Sequence, residues 1–472
     1  MMTWESVAPE DGFPPRGSDG PAASETSPAA LWGRPGQLSD RWLWKPGKVL
    51  LGKRGSKAAW QLIGFDDNRH VVTVAGSRAG KSSTVLIPNL LRYPGSTLVL
   101  DPKGELARAT ADARRAMGQQ VHILDPFGAT GQPSQAHNPF DELAGGNPEH
   151  IGADAALLAD ALIISNDKDP HWTDSAKNLL RGITLHLLST GRTATIRELR
   201  RLLNADPDEL EHLLKDMVNS DAFDGAVANV GAAFLGKATS GGEELQSILS
   251  TAQEQTTPLD DVRKITDRSD FRLRDLKRGP VTIYLVLPAM RMATHSRWLR
   301  LVIQQAFAAM ELDETTPAHP VLFLLEEFPV LGHLRAIETA AGFVAGFGVK
   351  LWTVVQDFSQ LKVHYPKSWE TFLGNAGIIQ AFGNVDLTTT EYLSKRLGNL
   401  TIVEEQNVPI SSSSLSHGDL GRREHLRQVP LLDASEITRF FARETGRQLL
   451  LCPGRPPIYC DRLSLENVAV RD

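Results

Sequence analysis

The residues able to do chemistry in this chain gather at the ends of a few apolar runs. The first run, Val71–Val74, leads directly into Ala75, Gly76, Ser77, Arg78, Ala79, Gly80, Lys81 and Ser82, with Ser83 behind them. This is the [Ala/Gly]-x4-Gly-Lys-Ser spacing of a phosphate-binding (Walker A) loop. Small residues allow backbone N–H groups to converge on an anion, and the following helix N-terminus adds its partial positive charge. Lys81 is placed to reach the β- and γ-phosphates of ATP, and the Ser82 hydroxyl to hold Mg²⁺. Pro88 is expected to end or kink that helix after barely two turns.

A phosphate loop calls for an acidic site at another strand end, and Val321–Leu325 is followed by Glu326 and Glu327. In a Walker B arrangement the first carboxylate helps bind Mg²⁺ through water and the second polarises the attacking water. Acidic pairs follow apolar strands by accident too, so this one gains its meaning from the loop that precedes it. Glu326 is one methylene longer than the Asp more usual at such a position. The strand Leu351–Val355 ends at Gln356, whose amide could orient water or report hydrolysis. Asp101-Pro102-Lys103-Gly104-Glu105 ends another strand; spacing alone allows it to be either a nucleotide-edge motif or a polar turn capping a helix.

These residues need a sheet to align them. Strands are expected at Val71–Val74, Thr97–Leu100, Val121–Leu124, Val281–Leu287, Val321–Leu325, Leu351–Val355, Ile378–Phe382 and Gln448–Leu451. Continuous apolar strands separated by helices imply an α/β protein with a mostly parallel sheet covered on both faces. Between 150 and 275 strand signals stop and helical spacing takes over, as in AALLADALII and SAKNLLRGITLHLL, so an all-α inserted domain is expected there. That divides the core into 41–149 and 276–465. Residues 1–40, rich in Pro, Gly, Ser and Ala, read as a disordered tail. Residues 404–428, polar and including Ser411–Ser414, read as a mobile loop.

Composition narrows the classes. The 472 residues carry a net charge of -6, so any contact with nucleic acid must be local. Two segments are locally basic: 41–57, with Trp42 and Trp44 among its cations, and Arg263–Arg278. Both are read first as solvated surface. Two cysteines, Cys452 and Cys460, exclude a disulfide framework and fit a reducing cytoplasm. No apolar run reaches the ~18 residues of a membrane helix, and the N-terminus has no signal-peptide pattern.

With these pieces placed, the chain resembles the conjugative coupling proteins of type IV secretion, the VirD4/TraG group of FtsK/HerA-like motor ATPases. The resemblance rests on AGSRAGKSSTVLIPNLLRYPGSTLVLDPKGEL, LDPFG, HNPFDEL, HWTDSAKNLLRG, FLLEEFPVLGHL, VVQDFSQL and GNAGIIQAFGNVDLTTTEYLSKRLG, in that order, and covers about 45 to 460. It implies a RecA-like P-loop core whose all-α domain recognises substrate. It also implies a homo-hexameric ring at the cytoplasmic face of a secretion channel, binding single- or double-stranded DNA and its relaxase and using ATP to deliver them. It assigns Asp101 and Lys103 to the nucleotide site, beside Lys81, Ser82, Glu327 and Gln356. A ring further predicts an arginine from the neighbouring subunit, for which Arg335, Arg396 and Arg443 are candidates. The chain departs from the family at Ala75, often Gly there, and in having a polar tail where members have transmembrane helices; recruitment by a separate membrane anchor protein follows as an expectation. A protein-effector coupling ATPase and a non-hydrolysing scaffold are the rival readings.

Overall fold

The computed structural model describes residues 32–33, 42–56, 59–67, 69–165, 170–191, 193–338, 344–407 and 422–464. Its strands are β1 (Val49–Ser56), β2 (Ala59–Phe65), β3 (Val71–Ala75), β4 (Thr97–Asp101), β5 (Gln120–Leu124), β6 (Val281–Val286), β7 (Val321–Leu325), β8 (Val349–Val355), β9 (Ile378–Phe382), β10 (Asn399–Asn407), β11 (Arg422–Pro430), β12 (Arg447–Leu451) and β13 (Ile458–Asp461). All eight expected strands are present. The chain forms two compact units, one of residues 1–89 with 354–472, the other of 90–353. The division differs from the expected boundaries at 149/150 and 275/276, because strand partners distant in sequence tie the phosphate-loop strand to the C-terminal part of the chain.

In the first unit the strand order is β2-β1-β13-β12-β9-β3. β3 pairs in parallel with β9, Val71 opposite Ile378 and Ala75 opposite Phe382. β12 is antiparallel to β9 and to β13, and β1 is antiparallel to β13 and β2. In the second unit the order β8-β7-β4-β6-β5 is parallel throughout. Strands β3, β4, β6, β7, β8 and β9 are buried at every position, as strands covered by helices on both faces must be.

Between β5 and β6 the described residues hold helices and no strand, the longer ones being Ile151–Leu162, Pro170–Ser189, Pro207–Val218, Ala226–Thr239 and Glu243–Thr256. Their starts are written in the sequence. Thr195 accepts the Glu198 N–H, and Asp206 accepts the N–H groups of Asp208 and Glu209 with Pro207 in the first helical position. The segment leaves and rejoins the sheet through a hydrogen-bonded junction: His137 N–H donates to Ile265 O (2.7 Å), Asp270 N–H to Ala136 O (3.0 Å) and Leu273 N–H to Glu142 Oε1 (3.0 Å). In the second unit a fully buried Arg114 donates to the carbonyls of Leu90, Tyr93 and Gly95 and to Gln119 and Thr282, fixing the turn before β4.

Two expectations need correction. Most of the N-terminal tail lies outside the described residues, but Trp32 is buried, edge-on to Tyr459 at 5.5 Å, and Gly33 N–H donates to Pro457 O; an aromatic anchor in a polar stretch carries no periodic signal. The two ends of the segment 404–428 belong to a hairpin: β10 and β11 pair antiparallel from Asn399↔Pro430 to Asn407↔Arg422, and 408–421 lie outside the described residues. The helix after the phosphate loop is short, as Pro88 predicts: it passes the proline by two residues and ends at Leu90. It passes the proline because 82–86 form a wide turn, the Ile87 N–H bonding Ser82 O five residues back, just before it.

The two basic segments are mostly committed to internal contacts. Lys48 pairs with Asp66, Lys53 lies over Trp60, Arg54 bonds Gln61, and Trp42 is buried; Arg41 and Lys57 lie outside the described residues. In the other segment Arg268 pairs with Asp270, Arg278 with Asp313, and Arg274 donates to Gly145 O. Among the described residues no helix is long and apolar enough to cross a membrane.

Candidate nucleotide site

The phosphate loop leaves β3 and is built by close backbone approach. Ala79 N–H donates to Gly76 O (3.2 Å), and Thr84 returns to Gly80 O through both its N–H (2.9 Å) and its hydroxyl (2.8 Å). Arg78 and Gly80 have positive φ, 57° and 91°, so Ala79 sits between two left-handed residues. Gly76 is required by its neighbour: a Cβ there would lie 2.1 Å from Gly383 O, at the end of β9. Gly383 is constrained in turn, with φ 62° and only 2.6 Å between an added Cβ and that of Ala79. This is a tight turn into which side chains do not fit, the small-residue backbone that a phosphate-binding loop is made of. Lys81 is buried and donates to Ala75 O (3.0 Å) and Gly76 O (3.5 Å) along the loop; Ser83 donates to Gly80 O. Ser77 carries the loop's outer turn, and Ser82 opens the helix.

Gln356 joins this neighbourhood through its backbone. Its carbonyl accepts from Asn384 Nδ2 (3.3 Å), which directly follows Gly383, so β8's end and the phosphate loop share one support. Asp357 then caps the next helix by accepting the Gln360 N–H.

In the second unit Glu326 and Glu327 follow β7, and Glu326 N–H donates to Leu100 O of the adjacent β4 (3.3 Å). Glu326 is buried; Glu327 is held at φ 53°, ψ 41°. A non-glycine residue in this region is sparsely populated and stores strain, which concentrates at functional positions. Asp101 ends β4, wholly buried. Its Oδ2 accepts the Ala107 N–H (2.8 Å) and so holds the start of the following helix, with Gly104 at φ 68° making the turn. Oδ1 is buried without a hydrogen-bond partner. Burial pushes this carboxyl up, against the N–H groups of the helix start and Arg108, which pull it down. Lys103 is exposed. Arg335, Arg396 and Arg443 are all exposed, so exposure does not separate the three finger candidates.

Sequence reasoning missed Gly383, Asn384 and Arg462. Arg462, just past β13, donates through Nη1 to Ala79 O and through Nη2 to Arg443 O, with its guanidinium over the Phe382 ring at 4.6 Å. A lone arginine after a terminal strand carries no motif, and only the tertiary fold brings it to the loop. The cysteines are not reactive candidates: burial pushes both thiols up to about 12.

The family described as Type IV secretory system Conjugative DNA transfer matches residues 36–465. The conjugal transfer protein TraG of Escherichia coli is 30% identical over 424 residues, 83% of this chain and 66% of that protein. VirD4 of Agrobacterium fabrum strain C58 is 30% identical over 420 residues, 84% of this chain and 59% of that protein. The chain thus spans less than two thirds of either relative. Among solved structures, the unbound bacterial conjugative coupling protein TrwBdeltaN70 superposes with a TM-score of 0.64 at 16% identity, covering 90% of this chain and 91% of that one. TrwB in complex with the ATP analogue ADPNP superposes equally well, 0.64 at 15% identity over 91% and 92% of the chains. A RecA-like α/β core follows from that likeness, and on the extent of the sequence match the chain belongs to the type IV secretory system conjugative DNA transfer family.

Proposed function

We propose that this protein is a coupling ATPase that binds ATP–Mg²⁺ at its phosphate loop and uses hydrolysis to deliver DNA, with its bound relaxase, to a type IV secretion channel. The observation that carries the reading is the loop itself: Gly76 and Gly383 leave no room for side chains between them, and Lys81 lies buried along the loop with Ser82 at the start of the helix. Bound ATP–Mg²⁺ would supply the phosphoryl group whose transfer to water drives the work. Lys81 would exchange its neutral backbone acceptors for phosphate oxygens, a stronger charge-assisted bond, and Ser82 would take the metal. Glu326 would help hold Mg²⁺ through water; Glu327, fixed in a strained backbone, would polarise the attacking water, with Gln356 orienting it. Asp101 acts at one remove, by holding the start of the helix after β4, and Lys103 is free to meet phosphate from the surface.

Family membership supports the rest of the proposal: DNA as cargo, a homo-hexamer with an arginine supplied by the neighbouring subunit, and work at the cytoplasmic face of the membrane. ATP turnover measured with and without single- and double-stranded DNA tests it. Stimulation by DNA that falls steeply with salt is expected, because a motor grips phosphates. Turnover indifferent to DNA, yet raised by a secreted protein, would transfer the role to protein cargo; turnover unchanged in Glu327→Gln would remove the catalytic assignment.

A further inference from the structure

Arg462 is a cation placed where nothing in the sequence motif asks for one. It is buried, at 6% exposure, and its Nε has no hydrogen-bond partner. No carboxylate forms an ion pair with it among the described residues; the nearest acidic influence is Glu444, whose side chain is exposed, and Arg443 adds a second positive charge. Burial and Arg443 both disfavour the charged form. A buried guanidinium with no carboxylate paired to it is costly, and such charges persist where something else answers them. The fork is spent on two backbone carbonyls, and one of these is Ala79 O, in the loop between the left-handed Arg78 and Gly80. A Cβ on Gly80 would lie 3.6 Å from Nη1, so the charge abuts the loop at the residue before Lys81. Arg462 N–H is itself fixed to Gly446 O (2.7 Å) and the ring of Phe382 backs the guanidinium, so the side chain has little freedom.

We propose that Arg462 is a positioning residue for nucleotide: it locks the Ala79 carbonyl so that the loop amides stay turned toward the phosphates, and its buried charge is compensated when the polyphosphate binds in front of the loop. The inference rests on the nucleotide-binding reading above. It makes β13 part of the nucleotide site, so that loop occupancy and the seating of that strand are coupled.

The test is titration of ATP–Mg²⁺ into the full chain by calorimetry, for wild type, Arg462→Met, Arg462→Gln, Arg462→Lys and Lys81→Ala, with melting temperatures recorded for each without nucleotide. Both neutral variants should bind about tenfold or more weakly, the loss of one charge-assisted hydrogen bond. R462K should recover most of that affinity, while R462M and R462Q, which strand the Ala79 and Arg443 carbonyls, should also melt below wild type. A structural clamp with no role toward nucleotide predicts the lower melting alone, with affinity of every folded variant within twofold of wild type; that result overturns the inference while K81A still loses binding. If wild type and K81A both fail to bind, the nucleotide reading falls and this inference falls with it.

Discussion

His137 offers a prediction whose size follows from the structure. It is completely buried at the junction where the helical segment meets the sheet, its ring stacked near Phe271 (5.5 Å, 19°), and neither ring nitrogen makes a hydrogen bond. Burial holds its pKa at about 4, against an ordinary 6.5; Gln305 and Asp141 favour the protonated ring and Arg272 disfavours it. The one carboxylate close to a ring nitrogen is Glu142, with Oε1 4.0 Å from Nδ1, and burial pushes that carboxyl up, which weakens it as a counter-ion in acid. A folded-state pKa below the unfolded one means that the contribution is whole above pH 6.5 and is lost as pH falls toward 4. Between pH 7.5 and 5 the linkage amounts to about 2 kcal/mol, rising to about 3 kcal/mol below pH 4. The assay is urea denaturation of wild type and His137→Phe at both pH values, comparing how much each loses. The wild type should lose about 2 kcal/mol more than the variant, since every other titrating group, including His122, is common to both. Equal losses would show that the ring is hydrated or paired in solution and would refute the argument.

Further outcomes follow from contacts described above. Gly76→Ala should cost about 2–3 kcal/mol, because the clash is with backbone rather than with a movable side chain, and should remove nucleotide binding; Gly383→Ala, read by thermal melting and ATP titration, should do the same. Asp101→Ala should lose about 1–3 kcal/mol in denaturant titrations by leaving the Ala107 N–H without its acceptor. Asp101→Asn keeps an acceptor and removes a buried charge. Since burial raises the folded-state pKa of Asp101, the wild type should lose stability relative to this variant as pH rises from 4 to 7. Arg114→Met strands three backbone carbonyls and Gln119, and should destabilise the second unit by about 3–5 kcal/mol; hydrogen exchange slowed or unchanged at β4 would contradict this.

The parallel core was legible because strands buried on both faces must be apolar at every position, as VLFLL and IIQAF are. Strands not obeying that rule went unread. β1 and β2 carry Gly, Lys and Arg within a hairpin, and β13 is four residues long. β10 and β11 pair over nine positions, and Glu404, Glu405, Arg422, Arg423 and Glu424 in their outer halves look like a loop in sequence. At the site, the phosphate loop was readable because one short segment supplies its donors. The supports were not: Gly383 matters through a backbone oxygen aimed at Gly76, and Arg462 through a carbonyl 383 residues away in the chain. Asp101 shows the converse, since the same DPKGE turn admits both a cap and a nucleotide edge, and only the structure shows its bond to Ala107.

Steady-state ATP hydrolysis by wild type and Lys81→Ala, in Mg²⁺ at low and moderate salt with and without DNA, tests the central claim most directly. A hydrolysing motor gives turnover that DNA raises in the wild type and that the substitution reduces to background. Turnover equal in the two proteins, or absent from the wild type under every condition although ATP binds, would contradict a hydrolysing motor built on this loop.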